Sequence, residues 1–344
     1  MDKKILFKQE SIVSSILDPR AGFKHISTRC EDRQNPLTGD SSRIAHFGSF
    51  KIPTPDLKEL GAEKFKTKCP FCPENIDEVT PVFPSELLPE GRLKLGVSTV
   101  IPNISPYDRF SAVTVMTKEH LMLLPDWTGE KLTGAFQAAA EFCRLTRSAH
   151  PEEKYYLISW NYMPPSGGSQ VHPHLQVFIG SHGANLYRRE LEASENYYMD
   201  TGRTFWQDYL EEEQKLSRRY LGSTGKIHWL SSFAPMGLLG DIEAVIPENK
   251  SLWELSSDFW SDLSEGLLKV FSYFHAQNIF SFNLALFPQL EEQHFRTHLR
   301  IIPRVSVNPR LGVPDSNVFH MLYQQPICLL WPEEAAKVIS TYFD

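Results

Sequence analysis

Residues 166–179 read Ser-Gly-Gly-Ser-Gln-Val-His-Pro-His-Leu-Gln-Val-Phe-Ile. From Val171 onward the pattern has the period of a strand with one face in a core and the other open. Val171, Leu175 and Val177 fall on the apolar face, and His172, His174 and Gln176 line the other. Alternation alone also describes a half-buried strand with incidental polar residues. The loop ahead of it adds to the signal. Gly167 and Gly168 let backbone amides come close to a ligand, and Ser166 and Ser169 supply hydroxyls, a chemistry suited to phosphate oxyanions.

Working outward, the segment Ser111–Thr117 is β-branched and strand-like, residues 130–149 have helical spacing, and Tyr155–Tyr162 is a further strand. The same order recurs downstream. Residues 227–233 lead to 241–249, then to a helical stretch from Ser257 to His275, then to strand-like 279–287 and 298–304. Laying 296–302 on 172–178 places His298 on His174 and Arg300 on Gln176. The reading is an α+β chain made by tandem duplication, with antiparallel sheets and crossing helices packed into one extended core. It divides the chain into an irregular segment 1–68, carrying turn signals at Asn35-Pro36 and Thr38-Gly39, a first half 69–185 and a second half 186–344.

Composition narrows the partners. The 344 residues are 41% hydrophobic and 22% charged, an ordinary globular mix. A net charge of −7 argues against nucleic acid or an anionic membrane as partner, since both call for a basic field. The first ten residues interleave charges with apolar side chains, so no secretory signal is read there. No run approaches the ~18 apolar residues of a membrane span. Five cysteines, two of them in Cys69-Pro-Phe-Cys72, point to thiols in a reducing, cytoplasmic setting and to metal binding before disulfides.

Ser166–Gln176 resembles the active-site strand of the galactose-1-phosphate uridylyltransferase branch of the histidine-triad superfamily, which carries a His-Pro-His-x-Gln motif. The resemblance covers most of the chain. Residues 33–39, Arg-Gln-Asn-Pro-Leu-Thr-Gly, are similar to the family's N-terminal segment, and Cys69-Pro-Phe-Cys72-Pro-Glu-Asn is similar to its zinc knuckle. The resemblance implies a tandem histidine-triad-like fold, a homodimer and a place in galactose metabolism. It further implies transfer of a nucleoside monophosphate, with uridine as the base, from a nucleotide sugar to a sugar 1-phosphate. His174 is then the nucleophile, assisted by Gln176 and Ser169, with Arg33, Asn103, Asn161, Gly167 and Gly168 about the nucleotide or its phosphate.

Cys69, Cys72, His120 and His172 make the Cys₂His₂ set of a closed structural zinc site that pins the strand carrying His174. A redox Cys-x-x-Cys would sit between a strand and a helix, whereas this one lies in a proline-rich loop. The family's second metal is not expected. Glu190 and His298 match two of its ligands, but Asn283 and Arg300 stand at the others. His294 and His298 are read as a satisfied polar cluster. Cys143 is read as core, while Cys30, Cys328 and the remaining histidines, His46 among them, give no signal. Leu175 departs from the family's His-Pro-His-Gly-Gln. Together with the Ser-Gly-Gly-Ser-Gln loop it also resembles phosphorylases of ADP-sugars or diadenosine tetraphosphate, in which inorganic phosphate is the acceptor. A phosphoramidate hydrolase and a non-enzymatic nucleotide-sugar binder complete the alternatives.

Overall fold

The structure is a computed structural model describing residues 5–45, 52 and 57–344; His46 and its neighbours at 47–51 and 53–56 lie outside the described residues. The chain opens with β1 (Gln9–Asp18), β2 (Lys24–Gln34) and β3 (Ser41–Ala45), followed by short helical turns α1 (Glu63–Lys66) and α2 (Ile76–Val79). The first half proper comprises β4 (Leu93–Leu95), β5 (Ser98–Pro102), β6 (Phe110–Val115), α3 (Gly129–Ala149), β7 (Tyr155–Tyr162) and β8 (His174–Gly180). Helices α4 (Asn185–Thr201) and α5 (Phe205–Leu216) lead into β9 (Tyr220–Thr224), β10 (Ile227–Ser231), β11 (Ile242–Val245), α6 (Ser257–Ala276), β12 (Phe282–Phe287) and β13 (His298–Pro303). A ribbon of β14 (Ser306–Asn308) and β15 (Val313–Pro314), a turn α7 (Val318–Met321), β16 (Ile327–Cys328) and α8 (Pro332–Ser340) close the chain.

The main sheet has ten strands in the order β4-β5-β6-β8-β7-β12-β13-β11-β10-β9. Read outward from its centre, the order β7-β8-β6-β5 on one side matches β12-β13-β11-β10 on the other. The centre is an antiparallel β7–β12 pair in which Asn161 lies opposite Asn283. The two expected halves therefore share one continuous sheet.

α3 and α6 cover one face of that sheet. Thr128 caps α3 by accepting from the Lys131 amide, and α3 buries Leu132, Ala135, Phe136, Ala139, Phe142 and Cys143, a helical stripe. Ser256 caps α6 in the same way. The two helices meet where Thr133 and Ser264 share a hydroxyl hydrogen bond of 2.9 Å and Phe136 stacks on Trp260. Beneath them lie the inward side chains of the central strands, including Leu175, Val177, Ile158, Trp160, Leu284 and Leu299.

The opposite face is covered unequally. Over the second half, Tyr187 of α4 and Phe205, Trp206 and Tyr209 of α5 form an aromatic cluster against Leu230, Val245 and Phe287. Over the first half, Ile76, Ile101, Val113 and Val115 form a smaller cluster with Phe71 against it.

One expectation is corrected. Segment 1–68, read as irregular, contains β1 and β2 in a ten-pair antiparallel hairpin, and β3 then joins β2 and β16 in a second sheet. Most of β1 is exposed on both faces, so no core selects alternate residues and the sequence carries no period of two. The turn signals do form a turn, in which Asn35 Oδ1 accepts from the amides of Leu37 and Thr38. No helix among the described residues is long and apolar enough to cross a membrane.

Candidate active site

β8 begins at His174, just after Pro173, and pairs with β6 on one side and β7 on the other. His174 is 6% exposed. Its Nδ1 lies 2.8 Å from the carbonyl oxygen of His172. A carbonyl only accepts, so Nδ1 carries the proton and Nε2 the lone pair. Nε2 makes no hydrogen bond among the described residues. Burial holds the imidazole below the usual histidine range, and the bond to His172 opposes this only in part. Burial thus favours the uncharged ring, with the lone pair on Nε2.

Two residues along, Gln176 points to the same face. Its Oε1 accepts from Asn161 Nδ2 at 3.4 Å, and the Asn161 Oδ1 accepts from Asn283 Nδ2 at 2.6 Å. The loop between β7 and β8 hugs this line. Gly167 sits at φ 90°, and a Cβ on Gly168 would meet the Asn161 carbonyl at 2.9 Å, so the chain can pass there only without a side chain. The Ser166 hydroxyl turns inward to the Met163 carbonyl, whereas Ser169 is exposed. On the same face, beyond Gln176, opens a cavity of about 490 Å³ lined from both halves, with Leu157, Ser159 and Phe178 on one side and Ala285 and Phe287 on the other. Its size is in the range of pockets that take drug-sized ligands.

Cys69, Cys72, His120 and His172 are all buried, and their ligand atoms lie within 4.8 Å of one another. Cys72 Sγ is 3.4 Å from His120 Nδ1 and 3.7 Å from His172 Nδ1, and Cys69 Sγ is 3.6 Å from His172 Nδ1. A tetrahedral metal with bonds of about 2.3 Å to sulfur and about 2.1 Å to nitrogen has S–N edges of about 3.6 Å, so the spacing fits. His172 Nε2 donates to the Thr117 carbonyl at 2.9 Å, which turns Nδ1 to the cluster as an unprotonated ligand. Burial, with Cys69 beside it, pushes the Cys72 thiol up to about 12, so its thiolate calls for a cation. The four residues can therefore hold a metal ion.

Phe71, which sequence reasoning passed over, lies between the two cysteines, with its ring 5.2 Å from that of His174 and 6.1 Å from that of His172. The knuckle thus contacts the nucleophile candidate directly. Asn103 sits after β5, where its Oδ1 accepts from the Ser105 amide and shapes the loop.

Arg33, on β2, is engaged by groups of the chain itself. Its guanidinium is buried, bonded to Glu31, Glu333 and the Phe233 carbonyl, and packed on the Phe233 ring. These contacts tie the N-terminal sheet to α8. In the second half, His298 Nε2 bonds Glu190 at 3.1 Å. The Arg300 guanidinium lies among the carboxylates of Asp241, Glu243 and Glu190 at 3.0, 2.7 and 3.9 Å. The positive charge in this cluster is the chain's own arginine. His294 falls in a turn before β13 and does not share a strand face with His298.

The fold is the one seen in solved uridylyltransferases and in an ADP-glucose phosphorylase. An ADP-glucose phosphorylase from Arabidopsis thaliana, solved with bound ADP-glucose, superposes with a TM-score of 0.69 at 16% identity over 90% of this chain and 98% of that one. A uridylyltransferase superposes with a TM-score of 0.66 at 20% identity over 91% of this chain and 98% of that one. By sequence, the chain belongs to one family with an uncharacterized protein of Archaeoglobus fulgidus, 31% identical over 338 residues that span 97% of each. No family model matches.

Proposed function

We propose that this protein is a nucleotidyltransferase that passes a nucleoside monophosphate from a nucleotide sugar to a phosphorylated acceptor through His174. The observation that carries the reading is the buried His174, with Nδ1 tied to the His172 carbonyl and Nε2 left without a hydrogen bond among the described residues.

In the first step, Nε2 forms a bond to the α-phosphorus as the bond from that phosphorus to its bridging oxygen breaks, releasing sugar 1-phosphate. The imidazole gains positive charge, and the His172 carbonyl, already accepting from Nδ1, stabilises it. Gln176, with Ser169 and the amides of Gly167 and Gly168, donates to the non-bridging oxygens, where charge builds. In the second step an acceptor phosphate oxygen bonds to phosphorus, the P–N bond breaks, and its electron pair returns to Nε2. The cavity beyond Gln176 takes the organic part of the donor. Zinc is the metal proposed for Cys69, Cys72, His120 and His172, and when bound it supplies a closed structural clamp. The chain's own residues then hold the start of β8 and press Phe71 on His174.

A uridylyl donor and a hexose 1-phosphate acceptor remain the first reading, on the resemblance of the N-terminal segment and knuckle. The likeness in fold to an ADP-glucose phosphorylase supports a second, in which inorganic phosphate discharges an adenylylated His174. Leu175 does not decide between them. It is fully buried on the α3 side, so its difference from glycine concerns the core and not the acceptor.

The test is intact-protein and peptide mass spectrometry after brief incubation with UDP-glucose, ADP-glucose and diadenosine tetraphosphate separately. One nucleoside monophosphate on the peptide containing His174 is the expected result, and its base selects the donor. No adduct and no released sugar phosphate from any donor would remove the transferase reading.

A further inference from the structure

A line of side chains crosses the joint between the two halves. Arg304, just past β13, donates through Nη1 to Asn283 Oδ1 at 2.6 Å, and its guanidinium is held by Asp315 through contacts of 2.7 and 2.9 Å. Arginine has donors only, so the Asn283 atom that meets it must be the carbonyl oxygen. Asn283 Nδ2 then faces the other way, donating to Asn161 Oδ1 at 2.6 Å and to the Ser166 carbonyl at 2.9 Å. The Ser166 contact requires the same orientation independently, because a backbone carbonyl cannot donate. Asn161 is left with Nδ2 toward Gln176, whose Oε1 accepts it at 3.4 Å. Catalytic hydrogen bonds are often long before a substrate arrives. The two ends of an amide are nearly identical in shape, so only such a network gives it a direction. This one leaves Gln176 Nε2, the donor end, for the site.

We infer that Asn283 and Arg304 are positioning residues that set the direction of the Gln176 amide, so that it presents N–H to the transferred phosphate. Arg304 fixes the polarity, and Asn283 and Asn161 relay it across the β7–β12 joint. The identity of the group that Gln176 meets rests on the nucleotidyl-transfer reading; the direction of the relay does not. The second half thus contributes to chemistry carried out on the first, without touching the reacting atoms.

Asn283→Asp is the variant that reverses the relay. It keeps the size of the side chain and the partner for Arg304, but offers only acceptor oxygens to Asn161. Asn161 then turns its Nδ2 toward the introduced carboxylate and its Oδ1 toward Gln176, and Gln176 presents Oε1 to the phosphate. Single-turnover formation of the nucleotidyl-His174 adduct is expected to slow on the order of 10²-fold, the scale of losing one oxyanion donor, with donor affinity within about 3-fold. In a Gln176→Leu background the same change costs less than about 2-fold more, because its effect passes through Gln176. Arg304→Lys, which keeps a donor to Asn283, retains most of the wild-type rate, while Arg304→Met does not. Equal losses from Asn283→Asp in both backgrounds, or an unchanged rate in a folded Asn283→Asp protein, would overturn the inference.

A second readout needs no turnover. In protein labelled with ¹⁵N-glutamine, the Gln176 carboxamide signal, assigned by its loss in Gln176→Leu, moves in Asn283→Asp and stays in Arg304→Lys. If the wild type forms no adduct with any donor, the transferase reading falls, and this signal alone judges the relay: a shift supports it and no shift overturns it.

Discussion

His174 and His298 stand at matching places in two copies of one unit, β8 beside β7 and β13 beside β12, and the same local bond holds both rings. His174 Nδ1 meets the carbonyl of residue 172 at 2.8 Å, and His298 Nδ1 meets that of residue 296 at 3.1 Å. They differ at the other nitrogen. His174 Nε2 has no hydrogen bond among the described residues, whereas His298 Nε2 is bonded to Glu190, and its ring lies between Trp206 at 4.0 Å and Phe287 at 5.0 Å. The two imidazoles are thus oriented alike and differ in what meets Nε2. α4 and α5 seal the second half. Over the first half, among the described residues, the knuckle brings Phe71 against His174.

The comparison breaks most sharply at His174. In His174→Ala the labelled peptide should disappear, and turnover should fall by on the order of 10³-fold or more, the scale of removing a nucleophile. Near-normal turnover in that variant would sink the assignment. The metal cluster comes next. Cys72→Ser should abolish bound zinc, measured by elemental analysis. It should slow adduct formation about 10- to 100-fold, the range found when groups that orient a metal centre are lost. A variant that loses its metal yet keeps the wild-type rate would show that the clamp on β8 is dispensable and that the two halves differ by covering alone.

Much of this contrast was legible in the sequence, because it depends on short-range pattern. Alternation in 171–179 gave the faces of β8, the recurrence at 298–304 gave its twin, and Cys-x-x-Cys with two histidines gave a cluster that the fold closes. The illegible parts depend on partners far apart in the chain. The resemblance placed Arg33 near a phosphate, and its ion pair with Glu333, three hundred residues on, could not be read from the sequence. Asn283 looked like a failed metal ligand until the β7–β12 pairing set it against Asn161. Leu175 looked like a clue to the acceptor, yet its side chain faces the core. The hairpin of β1 and β2 was missed because exposure on both faces erases the period that betrays a strand.

The smallest change in rate is expected at His298, and it sharpens the comparison from the other side. His298→Ala removes an aromatic ring stacked between Trp206 and Phe287 and a hydrogen-bond partner of the buried Glu190, which keeps Arg300 3.9 Å away. Breaking a buried pair by removing one partner typically costs about 3–5 kcal/mol, because the other charge is left uncompensated. Arg300 moderates that loss, so a decrease of about 3 kcal/mol in unfolding free energy is expected by urea titration. Adduct formation on His174 should stay within about 2-fold of wild type, because nothing on β8 bonds to His298. His174→Ala should show the reverse, with stability little changed and turnover lost. If His298→Ala instead slows labelling as far as His174→Ala does, the second imidazole takes part in the chemistry, and covering by α4 and α5 is not what separates the two halves.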